Sequence, residues 1–184
     1  IIAGIYGRRK LEVPKGRDIR PTSDKVRGAI FNALIAQGAI EGLSVLDAFS
    51  GTGALGLEAL SRGAAHCTFI DKSKISLDLT RRNAGALGAC TESAFQLGDA
   101  STCNFKDRKF DLIFLDPPYH KGLIELTLNN LLKQSAYAPT TRIICESETD
   151  SPADHQSHNG SFEITFEKSY GDTKVRILRY RANT

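Results

Sequence analysis

The four residues with the clearest chemical meaning are Asp116-Pro117-Pro118-Tyr119, which follow the apolar run of residues 111–115. Two consecutive prolines fix the backbone and remove two N–H donors, so carbonyl oxygens are left facing the site as acceptors. The Asp116 carboxylate beside such a carbonyl gives two acceptors, which match the two N–H donors of an amino group. The exocyclic amine of a nucleobase is a poor nucleophile because its lone pair is delocalised. Holding both hydrogens frees that lone pair to attack an electrophilic methyl group, while Tyr119 stacks on the base.

A rigid turn after a buried strand is the alternative interpretation of this motif. It becomes less attractive because a second stretch, VLDAFSGTG (residues 45–53), has the order strand, glycine-rich turn, helix. Gly51 and Gly53 allow a tight turn and a close approach to a ligand. The helix that follows presents free N–H groups, which favour an electronegative partner. Asp47 can accept hydrogen bonds from an amine or a hydroxyl. The glycine spacing does not fit a dinucleotide motif, and no Gly-Lys-Ser/Thr of a P-loop follows.

Repeated strand–helix units must position these residues. We predict strands within residues 45–47, 67–70, 94–97, 111–115 and from 142, and helices over residues 24–37, 54–62, 73–87 and 122–134. Such units predict a parallel sheet covered on both faces. Residues 162–168 and 174–180 alternate around a Tyr170-Gly171-Asp172 turn and predict an antiparallel hairpin at one edge. In the helix over residues 73–87, the inward side chains are predicted to be Ile75, Leu79 and Ala86.

Aspartates follow four successive predicted strands, at Asp47, Asp71, Asp99 and Asp116. Ligands of such sheets bind beyond the carboxyl ends of the strands, so the four acids are expected to line one rim. Asp71 is placed to hold two ribose hydroxyls, and Asp99 to accept from the amine of an adenine. Because no phosphate-binding lysine or glycine cradle is present, the pattern points to a nucleoside cofactor without phosphates, S-adenosylmethionine. For each aspartate alone, a helix cap is the alternative.

Charge is unevenly distributed along the 184 residues. The net charge is +3, but residues 1–27 hold eight Lys or Arg against three Asp or Glu, which is +5 and leaves −2 for the rest. A basic leading segment on a near-neutral body indicates an arm that meets an anionic partner. We interpret residues 1–13 as a short strand or hairpin with a basic tip at Arg8, Arg9 and Lys10. The predicted organisation is a basic extension over residues 1–22 and one main domain over residues 23–184.

Composition excludes other classes of protein. No apolar run is long enough to span a membrane, and no signal peptide is recognisable. The cysteines lack the paired spacing of a metal site and are typical of free thiols in a reducing cytosol: Cys67, Cys90, Cys103 and Cys145. We therefore expect a cytoplasmic protein without a metal. Because the sequence begins Ile1-Ile2 and contains no methionine, we also expect that residues precede Ile1.

Several motifs of this chain occur together in one known family. They are Arg20-Pro21-Thr22 with Val26-Arg27, residues 47–53 with Glu58 and Ser61-Arg62-Gly63, Asn83 with Gly88, residues 116–119 with Gly122-Leu123, and Tyr170-Gly171 with Tyr180. Over nearly its whole length the chain thus resembles the RsmD-type bacterial 16S ribosomal RNA guanine-N2 methyltransferases. The leading signature and the Ser-Arg-Gly are fairly specific to that family, whereas many amino-methyltransferases share the catalytic motif. Gly28 departs from the pattern, in which an acidic residue commonly follows the arginine.

The resemblance implies the class I S-adenosylmethionine-dependent methyltransferase fold, which is Rossmann-like α/β. We expect a mostly parallel seven-stranded sheet with helices on both faces, an antiparallel C-terminal hairpin and a small basic N-terminal β extension. The implied activity is methyl transfer to N2 of one guanine of 16S rRNA in assembling or assembled small ribosomal subunits, by a monomer and with S-adenosylhomocysteine as product.

The resemblance also implies roles for individual residues. The catalytic residues are Asp116, Pro117, Pro118 and Tyr119. The cofactor contacts are Thr22, Asp47, Ala48, Phe49, Ser50, Gly51, Gly53, Asp71, Lys72, Asp99 and Ala100. The RNA contacts, which act on phosphates, are Arg8, Arg9, Lys10, Arg20 and Lys121.

Two rival functions remain at this point. An amino-methyltransferase acting on adenine in DNA, or on another RNA, shares the catalytic motif, although the chain shows no added domain for reading a DNA sequence. A non-catalytic RNA- or partner-binding subunit of the same fold is the other rival. Such proteins usually lose the cofactor loop or the catalytic acid, and both are present here. Whether the purified protein binds S-adenosylmethionine distinguishes the enzyme from this non-catalytic rival.

Overall fold

The computed structural model describes residues 1–14, 23–118, 122–149 and 161–181. Helices and strands follow one another in the order α1 (Asp24–Ala36), β1 (Ser44–Asp47), α2 (Ala54–Ser61), β2 (His66–Asp71), α3 (Lys74–Leu87), β3 (Ser93–Leu97), β4 (Phe110–Leu115), α4 (Leu123–Lys133), β5 (Tyr137–Glu148), β6 (Phe162–Tyr170) and β7 (Thr173–Tyr180). The sequence therefore predicted each helix and strand to within a few residues, apart from the longer β5.

The strands form one seven-stranded sheet in the order β3-β2-β1-β4-β5-β7-β6. The first five pair in parallel, and β7 pairs antiparallel with both β5 and β6. This confirms the predicted fold class. From β1 the chain moves outward to β3, then returns to place β4 on the other side of β1. The point between β1 and β4 where the direction reverses is where open α/β sheets bind ligands.

Two apolar layers cover the sheet because alternate strand residues face opposite sides. Val45 and Phe114 belong to the layer shared with α1, α2 and α3. Leu46 and Ile113, their neighbours along the strands, belong to the layer shared with α4. Three helices thus pack on one face and one on the other, as the repeated strand–helix units predict.

Serine side chains begin two of the helices. The Ser23 hydroxyl accepts from the backbone N–H of Val26 at 3.2 Å and caps α1. The Ser73 hydroxyl does the same for α3. These caps satisfy N–H groups that have no partner within the helix. Because β2 runs directly into Ser73, the capped start of α3 lies at the carboxyl edge of the sheet.

The predicted inward face of α3 is wrong at two positions. Ile75 is 82% exposed, and Ala86 is exposed as well. The buried face instead carries Leu77, Thr80 and Asn83 together with apolar neighbours. Hydrophobic periodicity misplaced the stripe because two of its members are polar side chains, whose hydrogen bonds are described below.

The predicted N-terminal strand or hairpin is also wrong. Residues 1–14 contain turns and extended backbone without a strand. Successive turns are closed by Gly7 N–H on the Gly4 carbonyl at 3.0 Å and by Arg8 N–H on the Ile1 carbonyl at 2.9 Å. The segment needs no partner strand because side chains of α2 bind its backbone. The boundary after residue 22 stays a prediction, since residues 15–22 lie outside the described residues.

Glu58 on α2 is the anchor of this segment. Its side chain is fully buried and accepts from the backbone N–H of Ile2 at 2.7 Å and of Ala3 at 3.1 Å. It also pairs with Arg62, whose Nη2 lies 2.8 Å away, and Arg27 lies 3.7 Å away. A buried carboxylate is tolerated when charged and polar partners satisfy it this fully. The N-terminal segment is thus fixed to the body of the domain.

Replacing Glu58 by alanine will lower the free energy of unfolding by about 3 kcal/mol, since the nearly buried Arg62 guanidinium loses its partner and two backbone N–H groups lose their acceptor. Arg27 keeps its ion pair with Asp24. Chemical denaturation measures this loss. The matched control is Glu41→Ala, at an exposed position, which should change stability by less than about 0.5 kcal/mol. Equal stability of the two variants would show that Glu58 does not hold the segment.

Candidate active site

A cleft of about 440 Å³ opens at the carboxyl ends of the strands. Its lining joins the ends of β1, β2 and β4 with the turn after β3 and the starts of α2, α3 and α4. The lining residues are Asp47, Ala48, Phe49, Ser50, Gly51, Thr52, Ala54, Leu55, Asp71, Lys72, Ser73, Ser76, Gly98, Asp99, Ala100, Asp116, Pro117, Pro118 and Leu123.

The structure brings most of the predicted site residues together. All predicted cofactor contacts that are described line the cleft except Gly53, which begins α2, and three predicted catalytic residues join them. Thr22, Arg20, Tyr119 and Lys121 lie outside the described residues. Sequence reasoning missed other lining positions: Thr52, Ala54, Leu55, Ser73, Ser76, Gly98 and Leu123. Most of them are next to the motifs in the sequence and could have been predicted for that reason. Ser76 could not, because it faces the cleft only through the direction in which α3 runs.

The glycine-rich loop between β1 and α2 forms one wall of the cleft. Gly51 has φ +53° and Gly53 has φ +79°, which are left-handed values that favour glycine. A Cβ atom on Gly53 would lie 2.8 Å from Thr80 Cγ2, whereas one on Gly51 would meet no atom of the described residues within 4 Å. Gly53 is therefore required for packing on α3, and Gly51 for the turn that lines the cleft.

Asp71 connects two walls of the cleft. Its Oδ2 accepts from the Gly51 N–H at 2.9 Å and its Oδ1 from the Ser73 N–H at 2.8 Å. A carboxylate can accept about four hydrogen bonds, so capacity remains for a ligand at this cleft-lining position. Asp71 thus holds the glycine-rich loop against the start of α3, a role that its position after a strand did not reveal.

Asp99 lies in the turn after β3. Its Oδ1 accepts from the Ser101 hydroxyl at 2.6 Å and from the Ser101 N–H at 2.9 Å. These hydrogen bonds lower the pKa of the Asp99 carboxyl, with a smaller contribution from the charge of Lys72. The group is therefore a carboxylate at neutral pH, and its other oxygen is the one available for a ligand.

Asp47 is buried at the end of β1. Its Oδ2 accepts from the Gly56 N–H at 3.0 Å, in the first turn of α2. The pKa of the Asp47 carboxyl is raised to about 7, chiefly by burial and in smaller part by the negative charges of Asp116 and Asp71, against the lowering by the Gly56 hydrogen bond. Near neutral pH this carboxyl therefore changes its charge within the site.

Asp116 follows β4, which is the neighbour of β1 in the sheet. Asp47 pairs in register with Phe114, so Asp116 comes out beside Asp47 at the switch point. Asp116 is half-buried, Pro117 is buried and Pro118 is exposed. The motif thus turns away from a buried strand into an open cleft.

The charges of the cleft are strongly unbalanced. Four carboxyl groups line it against one described cation, Lys72. Within the described residues, no group of His, Cys, Asp or Glu could hold a metal ion. The lining therefore favours an organic ligand that carries positive charge and several hydrogen-bond donors.

The basic tip of the N-terminal segment lies far from this cleft. The Arg9 guanidinium donates to the carbonyl of Ala86, in the last turn of α3. Ala86 is ten residues beyond the cleft-lining Ser76, which is about 15 Å along a helix axis. Arg8 and Lys10 are exposed beside Arg9. Any RNA contact of these residues is therefore made at the end of α3 opposite the cleft.

Comparison with known proteins places the chain among methyltransferases. A family model described as "Conserved hypothetical protein 95" matches residues 1–179. Ribosomal RNA small subunit methyltransferase D of Haemophilus influenzae is 36% identical over 156 residues, which are 83% of this chain and 80% of that protein. The Escherichia coli protein of the same name is 35% identical over 182 residues, 99% of this chain and 90% of its own length. The chain belongs to the RsmD family. The predicted family is thereby confirmed.

Solved structures agree with membership of the RsmD family. The Escherichia coli protein yhhF, assigned as a methyltransferase, superposes with a TM-score of 0.84 at 33% identity over 100% of this chain and 98% of its own. A ribosomal protein L11 methylase of Lactobacillus delbrueckii shares the fold, with a TM-score of 0.68 at 20% identity, over 90% of this chain and 91% of its own.

None of the helices in the described residues is long and apolar enough to cross a membrane.

Proposed function

We propose that this RsmD-family protein transfers a methyl group from S-adenosylmethionine to N2 of one guanine of 16S rRNA, within assembling or assembled small ribosomal subunits. The observation that carries the proposal is that one cleft joins the acid-lined glycine-rich loop to Asp116-Pro117-Pro118. The names of the relatives support ribosomal RNA as the substrate. That the target is an amine is inferred from the two acceptors of the Asp116-Pro117-Pro118 motif. That this amine is N2 of guanine is inferred from the family resemblance. We expect the protein to act in the cytoplasm as a monomer.

The donor set of the cleft fits S-adenosylmethionine. This molecule carries a positive sulfonium, a positive amino group and one carboxylate, which leave it a net positive charge, and its ribose hydroxyls and adenine amine are further donors. The four carboxyl groups complement both the charge and the donors. In the proposed arrangement Asp71 binds the ribose hydroxyls, Asp99 the adenine amine and Asp47 the positively charged part. When bound, the cofactor supplies a methyl group on sulfur that is open to nucleophilic displacement.

The Asp116 carboxylate and a carbonyl of the two-proline segment together hold the target amine. Each accepts one N–H, which turns the nitrogen lone pair out of the ring plane and toward the methyl carbon. Attack by this lone pair would form the N–C bond as the C–S bond of the methyl donor breaks. The nitrogen then becomes acidic and loses a proton to water, so no strong base is needed. The rate comes from positioning and from hydrogen bonds that strengthen in the transition state.

RNA affinity has to come from outside the cleft, because four carboxyl groups repel phosphates. Changing Arg8 and Lys10 together to glutamine will weaken subunit binding and reduce the slope of log K against log salt by about 1 to 2, since two phosphate contacts are lost. Filter binding at several salt concentrations measures the slope. Arg9 is left intact because it binds the end of α3. An unchanged slope would show that this surface does not contact RNA.

The proposed function is tested with tritiated S-adenosylmethionine and three substrates. They are small subunits from a strain lacking the gene, naked 16S rRNA and duplex DNA, and the labelled product is digested to nucleosides. We expect label in N2-methylguanosine from subunits. Label in N6-methyladenine would keep the amine chemistry and overturn the substrate. No label despite cofactor binding would favour a non-catalytic subunit.

A further inference from the structure

Asn83 forms a buried bridge between two distant parts of the chain. Its side chain lies on the inner face of α3 and is 2% exposed. Nδ2 donates to the carbonyl of Thr52 at 2.9 Å and to that of Glu12 at 3.0 Å. Oδ1 accepts from the Glu12 N–H at 2.7 Å. Both amide hydrogens are thus used, and a single side chain joins the glycine-rich loop to the N-terminal segment.

On the loop side, Asn83 acts together with Thr80. The Thr80 hydroxyl lies 3.0 Å from the carbonyl of Gly51, and Asn83 binds the carbonyl of the next residue, Thr52. Both loop residues line the cleft. Two side chains of α3, three residues apart, therefore hold two consecutive carbonyl groups of the cofactor loop from behind.

On the segment side, Glu12 is held through both of its backbone polar groups. Two hydrogen bonds to the same residue, one from its N–H and one to its carbonyl, resemble the pairing of one residue between two strands. Together they fix the position and the orientation of the Glu12 backbone. The Glu12 side chain adds an exposed pair with Arg82, with both distances 3.1 Å, which contributes little by itself. The buried Asn83 amide therefore joins segment and loop directly, because it binds the backbone of both.

We propose that Asn83 is a positioning residue that couples the N-terminal segment to the cofactor loop, so that RNA and cofactor bind with positive cooperativity. The inference rests on the proposed function, in which the segment meets RNA and the loop meets the cofactor. Because one amide binds the backbone of both partners, a ligand that shifts either partner changes the geometry that the other ligand meets. By linkage, each ligand then raises the affinity of the protein for the other by the same factor.

Three variants separate this coupling from simple support of the loop. Asn83→Ala removes the bridge. Thr80→Val removes the hydroxyl that contacts the loop at Ser50 and Gly51, and leaves Glu12 untouched. Asn32→Ala, at an exposed position on α1, is the matched control. The measured quantity is the ratio of subunit Kd values without and with saturating S-adenosylhomocysteine, obtained by filter binding.

We expect this ratio to be at least about fivefold in the wild type and in Asn32→Ala, and below about twofold in Asn83→Ala. Thr80→Val should weaken S-adenosylhomocysteine binding yet keep the ratio. A second readout is hydrogen exchange at the Glu12 amide, which should slow on cofactor binding in the wild type and not in Asn83→Ala.

A ratio near one in the wild type, or an unchanged ratio in Asn83→Ala, would overturn the inference while leaving the proposed function intact. An equally low ratio in Thr80→Val would also overturn the inference, because support of the loop would then explain the cooperativity without the contact to Glu12. If Asn83→Ala does not fold, Asn83→Asp is used, which keeps the acceptor for the Glu12 N–H and loses the donors to the carbonyls of both Thr52 and Glu12. Failure of the wild type to bind S-adenosylhomocysteine would instead refute the proposed function.

Discussion

Replacing Asp116 by alanine will lower kcat for methyl transfer by at least about 100-fold, while the Kd for S-adenosylhomocysteine changes by less than about threefold. In the proposed mechanism the carboxylate holds the amine of the substrate, and its contribution is greatest when positive charge develops on the attacking nitrogen. In the proposed arrangement the cofactor is held mainly by the loop and by the other three acids that line the cleft, which the change leaves in place. Initial rates on small subunits and calorimetric titration of S-adenosylhomocysteine measure the two quantities.

Two further variants sharpen this experiment. Asp116→Asn keeps one acceptor oxygen and should retain more activity than Asp116→Ala. Asp172→Ala, at an exposed turn position far along the chain from the motif, should leave kcat unchanged. Near-normal turnover of Asp116→Ala would show that another group holds the amine.

Replacing Asp47 by asparagine will make the protein more stable above pH 7, by at most about 4 kcal/mol. The pKa of the Asp47 carboxyl is raised from 3.8 to about 7 in the folded protein, chiefly by burial. Between these pH values the folded state binds more protons than the unfolded state. Wild-type stability therefore declines as pH rises from about 4 to about 7, and this contribution is constant above that. The asparagine variant lacks this decline. Urea unfolding from pH 5 to pH 8 measures it.

The same substitution will weaken cofactor binding and change its pH dependence. A positively charged cofactor favours the ionised Asp47, so in the wild type we expect its affinity to rise with pH up to about 7. In Asp47→Asn this part of the pH dependence disappears. Titrations of S-adenosylmethionine, which carries the sulfonium charge, at pH 6 and pH 8 compare the two proteins. A variant that is less stable at pH 8, or one that keeps the wild-type pH dependence, would show that the buried carboxyl has another role.

Local sequence signals predicted the features that depend on one strand and the turn after it. Asp47 and Asp116 could be placed on one rim because parallel strands end at the same edge of the sheet. That they are immediate neighbours depends on the reversal of strand order between β1 and β4, which no local pattern encodes. The high pKa of Asp47 follows chiefly from burial and in smaller part from the negative charge of Asp116.

Features that depend on polar side chains within the core were not predicted. Thr80 and Asn83 interrupt the apolar stripe of α3, so periodicity selected the exposed Ile75 instead. Glu58 appears in the sequence as an ordinary helical glutamate, yet it is buried and binds the backbone of the N-terminal segment. The β-branched residues of that segment predicted a strand, but carboxylate and hydroxyl acceptors on α2 replaced the partner that a strand requires.

The most direct test of the central claim is the identity of the methylated nucleoside. Small subunits from a strain lacking the gene are incubated with S-adenosylmethionine and either the wild type or Asp116→Ala, and the 16S rRNA is digested and analysed by mass spectrometry. We predict one added N2-methylguanosine per subunit with the wild type and almost none with the variant. No gain of N2-methylguanosine with the wild type, or the same gain with both proteins, would contradict the account.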